Sequence, residues 1–599
     1  MAITIPLTAG IFTSEIDISQ YTVSQNATIA GVVGLAPKGQ KDTPLLFTSL
    51  QQLIQTLGTP SIDYPALLFA REFFNAGGGL LFFVRVGNGD TAATVSIPEL
   101  TGSGHLVVNS LTTGNWYNNI SIQVSYSDQL NQLLTQSHAF TTGANTVTLT
   151  LANAPLVPGT VQLKFGSTVV ANDDGNGVLV FTTANPLYTG TVNYVTGVVV
   201  VSTTALVTGV TNVMNLSTSY WSTFGIQVVQ AVLNQAGTRV NELVLESYAQ
   251  LTISTVTTRV GTAVKPISKY ITVTANPADF PMAGNYPMTG GLDGSANVTD
   301  ADFVGSVAGQ TPTGLQNYAF PDQITMNVVA VPGVSSQAVR EAVVEICETN
   351  RNDTIGLLDP PQGLDIQGVS DWANAENDYS TWNVVDTNKC AIYYPEYTSF
   401  NNITNDYETT PPSCAAIQAF VRSKPWEAPA GMTRGMITNL TAIAQMLNPA
   451  ARSYLDSNRI NSISNLNSLG EMILGQRTAT LEASSLDRVG ARRMMFVIET
   501  AIAKALYPLL FEPDTDVTWN RATMIVQPYL DSLKAKEQIY DGQFLCDATT
   551  NTTEIINNNQ MACIVQIQPL KYAEIITVAF IIESVGAQIT EAVASVLAA

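Results

Sequence analysis

The sequence predicts a multidomain α/β and α+β core, interrupted by an inserted β-rich, sandwich-like module and flanked by extended N- and C-terminal strand arms. Three observations carry this expectation. Helical and strand periodicities alternate over residues 27–100 and return from about 322. Between them Thr, Val, Gly and Asn dominate, and residues 101–235 hold only four charges, Asp128, Lys164, Asp173 and Asp174, which sets this stretch apart. Both chain ends are apolar enough to be strands, yet neither has an obvious partner within the chain.

Residues 1–20 contain Pro6, Gly10 and a partly alternating run from Ile11 to Ile18, the pattern of an arm or edge strand. Ile29 to Leu35 reads as a short buried strand, Ser49 to Leu57 as an amphipathic helix stopped by Gly58, and Ala66 to Asn75 as a helix stopped by Gly77-Gly78-Gly79. Leu80 to Val86 is nearly continuous in apolar residues, as in a strand buried on both faces. Strand-like runs such as Thr146–Leu151 and Val198–Thr203, with turn signals such as Asp174-Gly175-Asn176-Gly177, place the β-rich module at about 138–210. Ile324–Val331, Ser335–Asn350 and Thr354–Leu358 spell a βαβ unit. Residues 486–508 read as a helix, and Phe544–Asp547, Met561–Gln568 and Ile575–Ile582 as strands. The expected units are an arm at 1–20, a core of 21–100 plus 285–485, inserted outer domains at 101–284, a C-terminal α+β domain at 486–582 and an arm at 583–599.

Composition narrows the function. Charged residues make up 12% of the chain, against about 25% in average proteins, so most of the surface is polar but uncharged. Such faces suit contact with copies of the same chain, because each buried charge needs a partner. A net charge of −21 argues against nucleic-acid contact, which needs Lys and Arg to displace counterions. The five cysteines are odd in number and form no CxxC, which predicts buried free thiols in a reducing compartment. The opening MAITIPLTAG lacks the basic start of a signal peptide, and Lys571, Glu574 and Glu583 interrupt the apolar C-terminal stretch, so no membrane insertion is expected.

No catalytic constellation emerges. His105 and His138 have no Cys, Asp or Glu at metal-ligand spacing. Gly34 to Lys41 departs from a phosphate loop, because Gln40 stands where the lysine belongs and no Ser or Thr follows Lys41. Asp293, Asp514 and Asp516 lie in acidic turns without a full calcium-loop pattern. Arg488 and Arg492 are one helical turn apart and, with Arg493, are candidates for salt bridges to a neighbouring subunit. No cofactor or metal site is expected, and the chain reads as a non-enzyme.

Several motifs then recur in a recognisable order. They begin with Glu15-Ile16-Asp17, Gly31-Val32-Val33-Gly34-Leu35-Ala36-Pro37-Lys38-Gly39, Phe73-Phe74-Asn75-Ala76-Gly77-Gly78 and Val84-Arg85-Val86. Gly114-Asn115-Trp116-Tyr117-Asn118-Asn119 and Gly290-Gly291-Leu292-Asp293-Gly294 follow. Later come Tyr393-Tyr394-Pro395, Pro411-Pro412-Ser413, Trp426-Glu427-Ala428-Pro429-Ala430, Gln476-Arg477-Thr478, Arg492-Arg493, Phe511-Glu512-Pro513 with Trp519, Cys546-Asp547, Asn551-Thr552 and Ala573-Glu574. In number and order they resemble the contractile tail sheath proteins of myophages and related contractile injection systems, over roughly 27–120 and 285–585. Tyr117 departs from the family's glycine, and the β-rich module departs from its common core.

The resemblance implies a structural subunit of a helical sheath of stacked rings around an inner tail tube, in contact with baseplate and tail-terminator proteins, in the virion and assembled in the host cytoplasm. It implies that the arms add as strands to a sheet at about 540–582 of adjacent subunits. Ile11, Phe12, Ile16, Ile18, Val585 and Ile589 are the expected arm contacts, and Arg488, Arg492 and Arg493 the expected salt bridges to a subunit or the tube. The alternatives are a baseplate or terminator component that forms a single ring, or a β-rich surface or adhesion protein.

Overall fold

Strands without a polar face, such as Ile29–Gly34 and Ile355–Leu358, need cover on both sides, and the fold supplies it. The computed structural model describes residues 28–100, 104–139, 145–184, 187–203, 211–233, 239–275, 279–307, 311–466 and 469–575. Eight strands form the central sheet in the order Leu45–Phe47, Leu80–Arg85, Ile29–Gly34, Val328–Ala330, Ile355–Leu358, Cys390–Tyr394, Ile460–Leu466 and Gly470–Ile473. The six inner strands run parallel, and each edge strand is antiparallel to its neighbour.

Alternate residues serve opposite layers. Ala30, Val32, Leu81 and Phe83 pack with helices Pro65–Asn75 and Pro412–Arg422. Ile29, Val33 and Val84 pack with helices Gln337–Glu345, Ile366–Asn374 and Pro449–Ser457. The result is a three-layer α/β/α core. Helix Leu50–Leu57 starts where the Ser49 hydroxyl accepts from the Gln52 N–H at 3.3 Å. It stops at Gly58, whose φ of +106° suits glycine.

Two expected elements of the core are shorter than their sequence patterns, as is the expected strand Met561–Gln568, which is strand only over Ile564–Gln568. Only Val328–Ala330 of the 324–331 run is strand, because the Arg351 guanidinium takes the Ile324 carbonyl at 2.8 Å and Ile324 and Met326 turn into the core. The 335–350 helix is α-helical over Gln337–Glu345 and ends in one π-turn, Ile346–Asn350.

Between the strands Leu80–Arg85 and Val328–Ala330 the chain builds its β-rich excursion. Strand Ile120–Ala139 pairs antiparallel with Thr211–Leu233 along its whole length, from Ile120↔Gln230 to Ala139↔Thr211. Between these two strands in sequence lie six shorter ones: Asn145–Thr150, Gln162–Phe165, Thr168–Asp173, Val178–Phe181, Tyr188–Asn193 and Val198–Thr203. They join the ribbon in one ten-stranded sheet, and their inward residues, with Met214 and Leu216, form a separate hydrophobic cluster. A second cluster, including Ile122, Ile226 and Val273, fills the ribbon's other end.

The last described unit consists of helices Val489–Leu506 and Asp516–Ala535 and an antiparallel hairpin, Asp541–Leu545 with Ile564–Gln568. Met494, Ile498, Trp519, Val526, Leu530 and Phe544 form its core. The first hairpin strand begins three residues before the expected Phe544, since Asp541, Gly542 and Gln543 all pair with the second strand. Of the expected strand 575–582 only Ile575 is described. Both arms lie outside the described residues, and with them Ile11, Phe12, Ile16, Ile18, Val585 and Ile589.

Candidate interaction surface

The recurring sequence motifs meet at joints between units. Arg85 ends a central strand with its guanidinium fully buried. It donates to the carbonyls of Ala36 (3.1 Å), Gly39 (2.7 Å) and Asp293 (2.8 Å), tying the loop after the first strand to the chain returning from the β-rich region. The Asp293 carboxylate accepts from Tyr64 Oη at 2.6 Å and from Asn115 Nδ2 at 3.0 Å. Asn118 and Gly291 exchange two hydrogen bonds, of 2.8 and 2.9 Å. A side chain at Gly114 (φ +148°) would strike the Pro37 carbonyl, and one at Gly291 would strike the Gly114 carbonyl. Both turns therefore need glycine for close approach.

Lys38 sits at the same joint, 3% exposed, with Nζ 3.3 Å from the centre of the Trp116 ring. Burial pushes its pKa down to about 7, against the attraction of the ring for a cation. Sequence reasoning missed this contact, because a lysine in a Gly-Pro loop reads as solvated.

At the C-terminal joint Arg488 grips Glu574 with bonds of 2.6 and 2.7 Å and pairs with Asp487 at 2.8 Å. Arg492 reaches Glu499 at 3.5 Å and lies over the Phe496 ring. Arg493 is buried, donating to Ser423 Oγ (2.6 Å) and the Phe420 carbonyl (3.0 Å), and burial holds its pKa down at about 10. Each of the three arginines thus has a partner within the chain. Tyr572 Oη donates to the Trp426 carbonyl at 3.1 Å, and an open groove of about 490 Å³ runs between Ser484, Arg488, Pro569 and Lys571.

Among the described residues the hairpin has one edge that no strand covers. Gln527 Oε1 accepts from the Phe544 N–H at 2.8 Å and its Nε2 donates to the Gly542 carbonyl at 3.3 Å. Gly542 and Phe544 therefore turn their backbone groups away from the second strand, and the side chain of Gln527 covers that edge. By the same register Val565 and Ile567 turn their backbone groups outward on the opposite edge. Among the described residues no strand meets that edge. Leu510, Phe511, Val517 and Met524 of this unit are exposed, and Phe511 is held outward at φ +67°.

The remaining sequence candidates are dispersed. His105 is exposed on strand His105–Ser110, and His138 lies near the end of the long strand Ile120–Ala139. Asp514 Oδ1 accepts from Trp519 Nε1 at 2.5 Å, and Asp516 opens helix Asp516–Ala535. Among the described residues no three His, Cys, Asp or Glu side chains cluster as a metal site would require, and no helix is long and apolar enough to cross a membrane.

No family model matches the chain. It is 25% identical over 333 residues to the tail sheath protein of Vibrio phage KVP40, covering 52% of this chain and 48% of that one. It is 26% identical over 340 residues to the tail sheath protein of Enterobacteria phage T4, covering 54% and 51%. The match spans about half the length of these curated relatives. Among solved structures, the sheath tail protein of Desulfitobacterium hafniense aligns with a TM-score of 0.49 at 10% identity, covering 94% of this chain and 100% of that one. The resemblance read from the motifs is the one the curated relatives bear out: the chain is similar to the tail sheath proteins of phages.

Proposed function

We propose that the chain is the structural subunit of a contractile tail sheath. It polymerises into a helical tube of stacked rings around an inner tail tube, bounded by baseplate and tail-terminator proteins. Contraction drives the tube through the host envelope for genome delivery. The observation that carries this reading is the outer edge of Ile564–Gln568, which no strand among the described residues meets, in a chain similar to tail sheath proteins. A free strand edge invites another strand, and a helical array needs contacts between unlike patches of successive copies. The arms 1–20 and 583–599 are the proposed donors, through Ile11, Phe12, Ile16, Ile18, Val585 and Ile589. Exposed Leu510, Phe511, Val517 and Met524 favour a unit that is covered after assembly.

Contraction is then a switch between two packings of the same subunits, driven by the tighter interfaces of the second packing and not by nucleotide hydrolysis. The α/β core, the β-rich excursion and the C-terminal unit act as separate bodies in this reading, with the β-rich module outermost. Deleting residues 1–18 tests it: the truncated chain folds, shown by an unchanged unfolding midpoint, and does not polymerise. Long tubes from the truncated chain would overturn the arm model.

A further inference from the structure

The hairpin of the C-terminal unit also holds a pair of thiols in contact. Continuing the register of Leu545↔Ile564 by one step places Cys546 directly opposite Cys563. Cys546 has the parity of Gly542 and Phe544, so the pair is of the non-hydrogen-bonded kind, in which facing side chains come closest. The two Sγ atoms are 2.9 Å apart. Asn551 holds the strand ends in this position: its Nδ2 donates to the Asp547 carbonyl at 3.0 Å, and its Oδ1 accepts from the Ala562 N–H at 2.7 Å. Cys563 is partly exposed, whereas Cys347, Cys390 and Cys414 are completely buried.

We propose that Cys546 and Cys563 form a modification site, a dithiol that small-molecule disulfides convert to a cross-strand disulfide, clamping the 547–562 loop onto the hairpin. With oxidised glutathione, the Cys563 thiolate attacks one glutathione sulfur and releases one glutathione thiolate. The Cys546 thiolate then attacks Cys563 Sγ in the mixed disulfide and releases the second. The protein loses two protons and two electrons, and one glutathione disulfide becomes two thiols. Burial and the neighbouring Cys546 push Cys563 up to about 12, so few thiolates exist near neutrality and the exchange speeds up as pH rises. The site lies on the hairpin proposed as the arm receiver, but the thiol chemistry does not depend on that assignment.

The test incubates the folded, full-length chain with excess oxidised glutathione at pH 7.5 and 9, then denatures it, alkylates the remaining thiols and weighs it. Digestion with an endoprotease that cuts after Glu554 separates the two cysteines. The expected result is loss of two of the five thiols, faster at pH 9, with one linked peptide joining Cys546 to Cys563. Cys546→Ser should stop at a glutathione adduct on Cys563. Five free thiols after prolonged exposure at pH 9, or a linkage that involves Cys347, Cys390 or Cys414, overturns the proposal.

Discussion

Arg488 holds Glu574 through a two-pronged hydrogen bond, with Gln476 adding a third contact to the same carboxylate at 3.0 Å. The pair fixes the segment that follows the hairpin against the start of helix Val489–Leu506, at the point where the chain runs on toward its proposed arm. The geometry is bidentate but half-exposed, so its contribution to stability is about 1 kcal/mol or less. Its larger effect is local. Glu574→Ala should leave the unfolding midpoint nearly unchanged while trypsin cuts after Lys571, in the segment the pair anchors, roughly tenfold faster. An unchanged cutting rate would show that Tyr572 and Trp426 hold the segment without the ion pair.

Asp293 links the core to the β-rich excursion in a way that pH can probe. Burial works against its charge, but hydrogen bonds from Tyr64 and Ser295 outweigh burial and hold the carboxyl below its usual range. A lowered folded pKa contributes stability that is fully present above the unfolded value of about 3.9 and is lost as pH falls through the folded value. Asp293→Ala leaves the Tyr64 hydroxyl without its acceptor, while Asn115 Nδ2 keeps Tyr64 Oη at 3.2 Å, a cost of about 2 kcal/mol at pH 7 by urea unfolding. The gap between wild type and variant should narrow below pH 4; a gap constant from pH 7 to 3 would refute the assignment.

Arg71 and Glu72 form the most deeply buried ion pair of the core, joined at 2.8 Å with no exposed side-chain surface on the carboxylate. Glu72 also accepts from Gln418 Nε2 at 2.8 Å, and Arg71 donates to Ser399 Oγ at 2.8 Å. Glu72→Ala strips Arg71 of its nearest countercharge inside the fold and should cost about 3–5 kcal/mol in urea unfolding. A loss under about 1 kcal/mol would mean that Glu408, 3.6 Å away, alone neutralises the guanidinium.

The open edge can be closed by one residue. Proline at Ile567 removes an N–H that faces away from the hairpin partner, so the ladder bonds at Gln566 and Gln568 survive. Ile567→Pro should keep the monomer within about 1 kcal/mol of wild type, since it forfeits no ladder bond, and stop polymerisation as seen by sedimentation. Polymers of normal length from this variant would remove that edge from the assembly.

How much of this was legible in the sequence depends on how local each cause is. The Leu50–Leu57 helix and its stop follow from Ser49, Gly58 and a single apolar stripe, all within ten residues. The parallel strands Ile29–Gly34, Leu80–Arg85 and Ile355–Leu358 could be read because cover on both faces leaves them continuously apolar, whereas Ile460–Leu466, which buries Asn461, Ser462 and Ser464, could not. Helix Asp516–Ala535 was not legible, since Pro528 interrupts its pattern and costs one backbone bond that tertiary packing offsets. The long ribbon hid for another reason: its pairing, such as Tyr126↔Phe224, depends on a partner strand far along the chain. The arginines expected at intersubunit contacts show the same limit. Arg493 lies on the predicted helix, but its hydrogen bonds go to Ser423 and Phe420, which sequence spacing cannot bring near. The motifs of the candidate surface were found as strings, and only the fold shows that Gly114 and Gly291 touch.

The most direct measurement is electron microscopy of the purified full-length chain, concentrated without nucleotide. Assembly through arms and an open edge predicts long hollow tubes with a helical lattice. Single closed rings that do not stack would contradict it.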